Sequence, residues 1–188
     1  MLNSERDRDY CISILNEYTK SESLIKHALA VETCVRAYAI KLNEDENFWG
    51  NVALLHDFDY EMYPTAEEHP YKGNEILKGK GFSDEFRNAI MSHADYTGVK
   101  RISMLEKVLF ACDELAGFIT AVTYVRPSKT VDEVEVKSVL KKMKDKAFAR
   151  TVNREDIVKS AQELGVSLEE HIQFCINAMK ANKDLLGL

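Results

Sequence analysis

Apolar residues recur along this chain at intervals of three and four, the period of a helix that buries one face. From Ser21 and Ser23 to about Leu42, the residues Leu24, His27, Val31, Cys34 and Tyr38 fall on a single face. A shorter apolar segment, Phe48 to Leu55, ends at His56-Asp57. The stretch Phe58 to Glu68, which contains Pro64, reads as a loop. Pro70 suits the first turn of the next helix, which ends near Gly79 and Gly81, and Ser83 caps another that runs to about Ser92. Ser103-Met-Leu-Glu106 is a capping box opening a helix to about Val125. That helix is apolar nearly all round, which predicts the buried central element, and Pro127 ends it. Two further capping boxes, Thr130-Val-Asp-Glu133 and Ser167-Leu-Glu-Glu170, with Asn153 as another cap, predict three tail helices packed on the core. Strand signals are nearly absent. The expected fold class is all-α.

Composition fits this pattern: eight Gly and three Pro in 188 residues leave long helices with few interruptions. With 45% hydrophobic and 30% charged residues, the chain has the balance of a globular protein. No apolar run approaches the roughly 20 residues that cross a bilayer. The opening segment MLNSERDRDY lacks the apolar stretch of a signal peptide, so the expected compartment is cytoplasmic. Cys11, Cys34, Cys112 and Cys175 are far apart and form no Cys-x-x-Cys pair, which argues against structural zinc and a disulfide framework. A net charge of −6 argues against a nucleic-acid polymer as partner. The charge is uneven, with ten Lys/Arg against six Asp/Glu from Arg126 to Lys159. Such a run is either a solvated helix surface or a positive flank that draws in an anionic substrate.

Candidate chemistry sits on histidines and carboxylates. Asp113 lies mid-helix beside Cys112 and a long apolar stretch, where an ionised carboxylate is expensive unless a cation or strong donors compensate it. The competing reading is a narrow polar stripe with Glu106, Lys107 and Glu114, or a cap on a neighbouring helix. His27 should point inward with Leu24 and Val31, and a lone inward histidine is more often a hydrogen-bonded core residue than a ligand. His56 and Asp57, adjacent at a segment end, can reach one ion or bridge two. His69, before Pro70, and His93 both stand at predicted helix ends, and each alone would be unremarkable. His171, among Glu169, Glu170 and Gln173, is expected at the surface. Gly79-Lys-Gly81 is too short for a phosphate loop and reads as a helix C-terminus.

Taken in order, His27, His56-Asp57, His69, His93 and Asp113, with spacings of 29, 1, 12, 24 and 20, resemble the signature of the HD superfamily of metal-dependent phosphohydrolases at all six positions. The resemblance runs from His27 to about Pro127. It implies a single domain over 1–188, with a helical metal-binding core at 20–127 and additional C-terminal helices at 128–188. It also implies that His27, His56, Asp57 and Asp113 hold one divalent ion, with Asp57 bridging to a second held by His69 and His93. Imidazole and carboxylate without thiolate suit Fe, Mn, Zn, Co or Ni. The implied reaction is phosphatase or phosphodiesterase hydrolysis of a small, nucleotide-like phosphorylated substrate by metal-activated water.

One position departs from the superfamily. Many relatives carry Lys or Glu where this chain has Tyr60, within His56-Asp-Phe-Asp-Tyr-Glu61. The acid/base role alongside Asp57 then falls to Asp59 or Glu61, with solvated loop carboxylates as the competing reading, and Tyr60 is a hydrogen-bond donor for phosphate. Lys72, Arg126 and Lys129 are the candidates for binding substrate phosphate, each equally readable as a surface ion-pair partner. Two other functions fit the resemblance: a di-iron oxygenase on the same six ligands, and a metal-bound sensing module without turnover, against which the complete ligand set argues. No membrane partner is expected, and the tail helices offer a homodimer surface.

Overall fold

The computed structural model describes residues 4–188 and is built of helices joined by short turns, with no strand among the described residues. The first three residues of the charged opening segment lie outside the described residues. Helix α1 spans Arg8–Tyr18, α2 Glu22–Leu42, α3 Glu46–Leu54, α4 Tyr71–Gly79 and α5 Asp84–Met91. Helix α6 spans Met104–Tyr124, α7 Val136–Met143, α8 Arg154–Leu164, α9 Leu168–Ala181, and a last short turn, α10, Lys183–Leu186.

The long helices α2 and α6 form the centre. α2 packs on α3, α6 and α9, while α6 also meets α5, α7 and α8. The near-continuous apolar surface of α6 explains that position: Leu109, Leu115, Phe118 and Ile119 are all fully buried. Ser103 and Glu106 close the capping box at its start, each side chain serving the other's backbone. No helix is long and apolar enough to cross a membrane among the described residues. All four cysteines are buried.

Two sequence expectations need correcting. Thr130 to Glu133 closes only a short 3-10 turn, Val131–Glu133, because the Glu133 carboxylate accepts from the Ser128 hydroxyl (2.8 Å) instead of completing a capping box. The helix that follows begins at Val136. His171 is not at the surface but fully buried. Its helical neighbours are the residues three and four away, and on that face of α9 it stands with Leu168, Cys175 and Phe174 rather than with the adjacent glutamates. Its neutral ring is held at both nitrogens. Nε2–H donates to the Ala111 carbonyl of α6 (2.8 Å), and Nδ1 accepts from the Tyr38 hydroxyl of α2 (2.7 Å). Burial lowers its pKa, consistent with an uncharged ring.

Candidate metal centre

Six side chains from five parts of the chain converge between α2 and α6. His27 comes from the second turn of α2, His56 and Asp57 from the turn after α3, His69 from just before α4, His93 from just after α5, and Asp113 from the middle of α6. These positions stand where an element ends or where two long helices face each other, so rigid backbone aims each group inward.

The donor atoms fall into two groups. His27 Nε2, His56 Nε2 and one Asp113 oxygen lie within 4.8 Å of one another, and so do Asp57, His69 and His93. Asp57 stands between them. Its Oδ2 lies 3.4 Å from His56 Nε2 and 3.8 Å from His27 Nε2, and its Oδ1 lies 3.2 Å from His69 Nε2 and 3.3 Å from His93 Nε2. Asp113 Oδ1 is 3.0 Å from His27 Nε2 and 3.4 Å from His56 Nε2.

The imidazoles are set in one tautomer by their other nitrogen. His56 Nδ1–H donates to the Ala53 carbonyl (2.7 Å), His93 Nδ1–H to the Ile90 carbonyl (2.6 Å), and His69 Nδ1–H to Asp59 (2.8 Å). Each ring, when neutral, therefore presents a lone pair at Nε2, oriented by the outer hydrogen bond typical of metal-binding histidines. The lone pairs point at acceptors. His69 Nε2 and His93 Nε2 are 3.3 Å apart, both against an Asp57 oxygen, and His56 Nε2 is buried with no hydrogen-bond partner. A knot of acceptors with an orphaned buried nitrogen needs protons or cations to be stable, so this donor set fits divalent metal.

Electrostatics agree. Burial works against charge on His56, but the carboxylates of Asp57 and Asp113 outweigh it and hold its pKa well above the ordinary value. Burial also opposes charge on His69, yet hydrogen bonds to Asp57 and Asp59 raise it to about 9. Conversely, the histidines hold Asp57 and Asp113 below the usual carboxylate range despite burial that pushes them up. In the metal-free protein, protons occupy places for which a cation would compete.

The predicted acid/base and phosphate residues fare differently. Asp59 is not a loop carboxylate free for proton transfer. It is buried, with Oδ1 taken by His69 and Oδ2 accepting from the Gly73 backbone N–H (2.7 Å), so it fixes the His69 ring instead. Glu61 accepts from the backbone N–H groups of Lys20 (2.7 Å) and Ser21 (2.9 Å), pinning the loop to the start of α2. Those bonds lower its pKa. Tyr60 does line the site, with its ring edge-on to His69 (5.3 Å between centroids). Lys72 pairs with Glu75 (3.3 Å), Arg126 donates to the Ser138 hydroxyl (2.9 Å), and Lys129 follows α6, but none of the three lines the cavity over the metal centre.

That cavity has a volume of about 980 Å³. It reaches from His69 and His93 to Asn153 and Asp156, and the stretch 149–156 lines it with Ala149, Thr151, Val152, Asn153 and Asp156 but not with its two arginines, Arg150 and Arg154. The basic run spends its cations elsewhere: Lys159 on Asp95 (2.6 Å), Arg154 on backbone carbonyls, Lys142 over the Phe148 ring. Glu114, beside Asp113, is raised to about 7 by burial and by the Asp113 charge. Sequence reading missed Asp59's supporting role, whose only signal was its position ten residues before His69. It also missed Ser23 and Lys26, although Ser23 is four residues before His27 and so on the same helical face.

Gly73 offers a test of the support around His69. A Cβ there would sit 2.8 Å from the Asp59 carboxylate. Gly73→Ala is expected to cost about 1–3 kcal/mol of stability and to weaken metal binding roughly 10–100-fold by displacing Asp59. Thermal unfolding with and without metal, read beside metal titration, checks both.

A family model described as HD domain matches residues 24–117, half of the chain. A tRNA (cytidine(56)-2'-O)-methyltransferase of Thermoplasma volcanium is 31% identical over 87 residues, which are 46% of this chain and 25% of that protein. The chain thus matches about a quarter of that relative's length. No solved structure matches it.

Proposed function

The chain belongs to the HD-domain family, and from that premise we propose that it is a metal-dependent phosphohydrolase with two divalent cations, acting on a small phosphorylated substrate. The observation that carries the reading is Asp57, whose two oxygens face opposite donor groups at 3.4 Å and 3.2 Å. His27, His56, Asp113 and Asp57 Oδ2 would hold one ion, and His69, His93 and Asp57 Oδ1 the other. When bound, such a pair supplies a water ionised near neutral pH and positive charge to offset that of a phosphoryl group.

The chain's own residues prepare that site. The Ala53 and Ile90 carbonyls and the Asp59 carboxylate hold three imidazoles with their Nε2 lone pairs inward. Asp57 and Asp113 keep their charge at neutral pH and balance part of the cations' charge. Tyr60, half-exposed on the cavity wall, has a hydroxyl free to donate toward a phosphoryl oxygen. A cavity of about 980 Å³ takes a nucleotide-sized substrate. No cysteine is placed for nucleophilic attack, since all four thiols are buried.

The test is a panel of phosphomonoesters and phosphodiesters, each run with Mn, Fe, Co, Ni, Zn and Mg under argon. Phosphate or alcohol release with at least one metal, abolished by chelation, is expected. Silence across the whole panel, with metal bound, would overturn the hydrolase reading. Oxygen consumption by an iron-loaded protein would replace it with oxygenase chemistry.

A further inference from the structure

The walls of the cavity carry a very unequal set of charges. Asp57, Asp113, Glu114, Asp95 and Asp156 all line it, against one lysine, Lys26, and no arginine. Asp57 and Asp113 belong to the metal centre. Asp95 is neutralised by Arg101 (2.7 Å) and Lys159 (2.6 Å). Glu114 accepts from the Asn153 backbone N–H (3.2 Å), and Asp156 from the Asn153 amide (2.6 Å), so neither has a cationic partner. The part of the cavity lined by Glu114 and Asp156 is therefore acidic, with no cation to offset it.

Lys26 is placed differently from every other basic residue near the site. It is exposed, directly precedes His27 on α2, and has no carboxylate within ion-pair distance. Ser23, one turn earlier, lines the same side of the cavity. The first two turns of α2 thus bring a hydroxyl, an ammonium group and a metal-binding imidazole to the lining of one cavity. Most basic side chains around the cavity are already engaged, Arg101 with Glu163 and Asp95 and Lys159 with Asp95.

We propose that Lys26 is the phosphate-contacting, specificity-determining residue of this cavity, and that as the sole unpaired cation on a wall otherwise acidic it restricts the site to substrates with one phosphoryl group. This rests on the phosphohydrolase reading above and adds the substrate class to it. A monoester has its phosphoryl group shared between the metal centre and Lys26, while its organic part extends toward Tyr96, Tyr124 and the Asn153 end. A triphosphate would have to lay its remaining charges against Glu114 and Asp156, with no lysine or arginine to meet them. Like charges brought together in a partly enclosed site cost affinity that one exposed ammonium group does not restore.

The experiment uses the full chain loaded with metal, as wild type, Lys26→Ala, Lys26→Arg and Lys26→Glu. The position is exposed on a helix and alanine is a good helix former, so the variants should fold, and circular dichroism and metal content check that they do. For p-nitrophenyl phosphate, Lys26→Ala is expected to raise KM about tenfold with kcat changed much less, Lys26→Glu more so, and Lys26→Arg to recover most of the loss. Calorimetric titration with inorganic phosphate should show the same order of Kd at unchanged metal content, a readout that needs no turnover. Wild-type protein should prefer AMP to ATP by kcat/KM, and Glu114→Gln/Asp156→Asn should narrow that gap. An active wild type whose KM and phosphate Kd ignore Lys26, or which prefers ATP, overturns this proposal and leaves the hydrolase reading standing. A wild type that binds phosphate through Lys26 but hydrolyses no ester overturns the hydrolase reading alone.

Discussion

Asp57→Asn is expected to abolish turnover, by a factor on the order of a thousand or more, and to empty both halves of the metal centre. The substitution preserves volume and changes one thing, the carboxylate that faces His27 and His56 through Oδ2 and His69 and His93 through Oδ1. An amide has one weak acceptor where the carboxylate has two charged ones, so it serves one donor group at best. Removing a ligand from one group alone, as in His93→Ala, should instead leave one ion held by His27, His56, Asp57 and Asp113. Metal analysis after dialysis separates the cases: two ions per wild-type chain, about one for His93→Ala, and close to none for Asp57→Asn. A thermal shift gives a second reading, because a ligand that binds only the folded state raises the unfolding temperature. Wild type should gain stability on metal addition and Asp57→Asn should not. Two ions retained by Asp57→Asn would show that the carboxylate does not join the groups.

The contrast between His56-Asp57 and Asp59 explains what could be read from the sequence. Metal-binding residue types in order, on a helical background, identify positions whose identity is dictated by chemistry, and the fold brings all six together. The long helices were legible for a similar reason, since the apolar surface of α6 and the caps at Ser83, Ser103, Asn153 and Ser167 are local signals that tertiary contacts reinforce. Roles that depend on where a neighbour ends up were not legible. Asp59 and Glu61 sit two residues apart in one loop and carry the same charge. One is buried beneath His69 and Gly73, and the other is exposed and caps α2 through Lys20 and Ser21. Nothing local distinguishes them, because the partners come from α4 and from the α1–α2 turn. The phosphate candidates meet the same limit, since none of them lines the cavity. Nearness in sequence to His69 or to α6 says nothing of whether Lys72, Arg126 or Lys129 faces the cavity, whereas the four-residue spacing of Ser23 and His27 on one helix does.

His171 carries the other large expected effect, on stability. His171→Leu keeps the bulk and removes both hydrogen bonds, leaving the Tyr38 hydroxyl buried without its acceptor, so it should cost about 2–3 kcal/mol at pH 7.5. The pH dependence is more specific. Burial depresses the pKa of His171 below the ordinary 6.5, so the unfolded chain takes up a proton there before the folded one does. The stabilisation from the neutral ring is therefore complete above about pH 6.5 and is lost as pH falls through the folded value, at up to about 1.4 kcal/mol per pH unit. His69 runs the opposite way in the metal-free protein: with its pKa raised to about 9, its contribution is complete below pH 6.5 and fades as pH rises through 9. Because His69 is present in both proteins, the difference between wild type and His171→Leu isolates His171. Denaturant unfolding of both metal-free proteins at pH 7.5, 6 and 5 should show that difference shrinking as the pH drops. Tyr38→Phe, which leaves His171 able to titrate, should follow the wild-type slope at a lower overall stability. A gap between wild type and His171→Leu that stays constant from pH 7.5 to 5 would mean that the ring joining α2, α6 and α9 does not titrate with the fold.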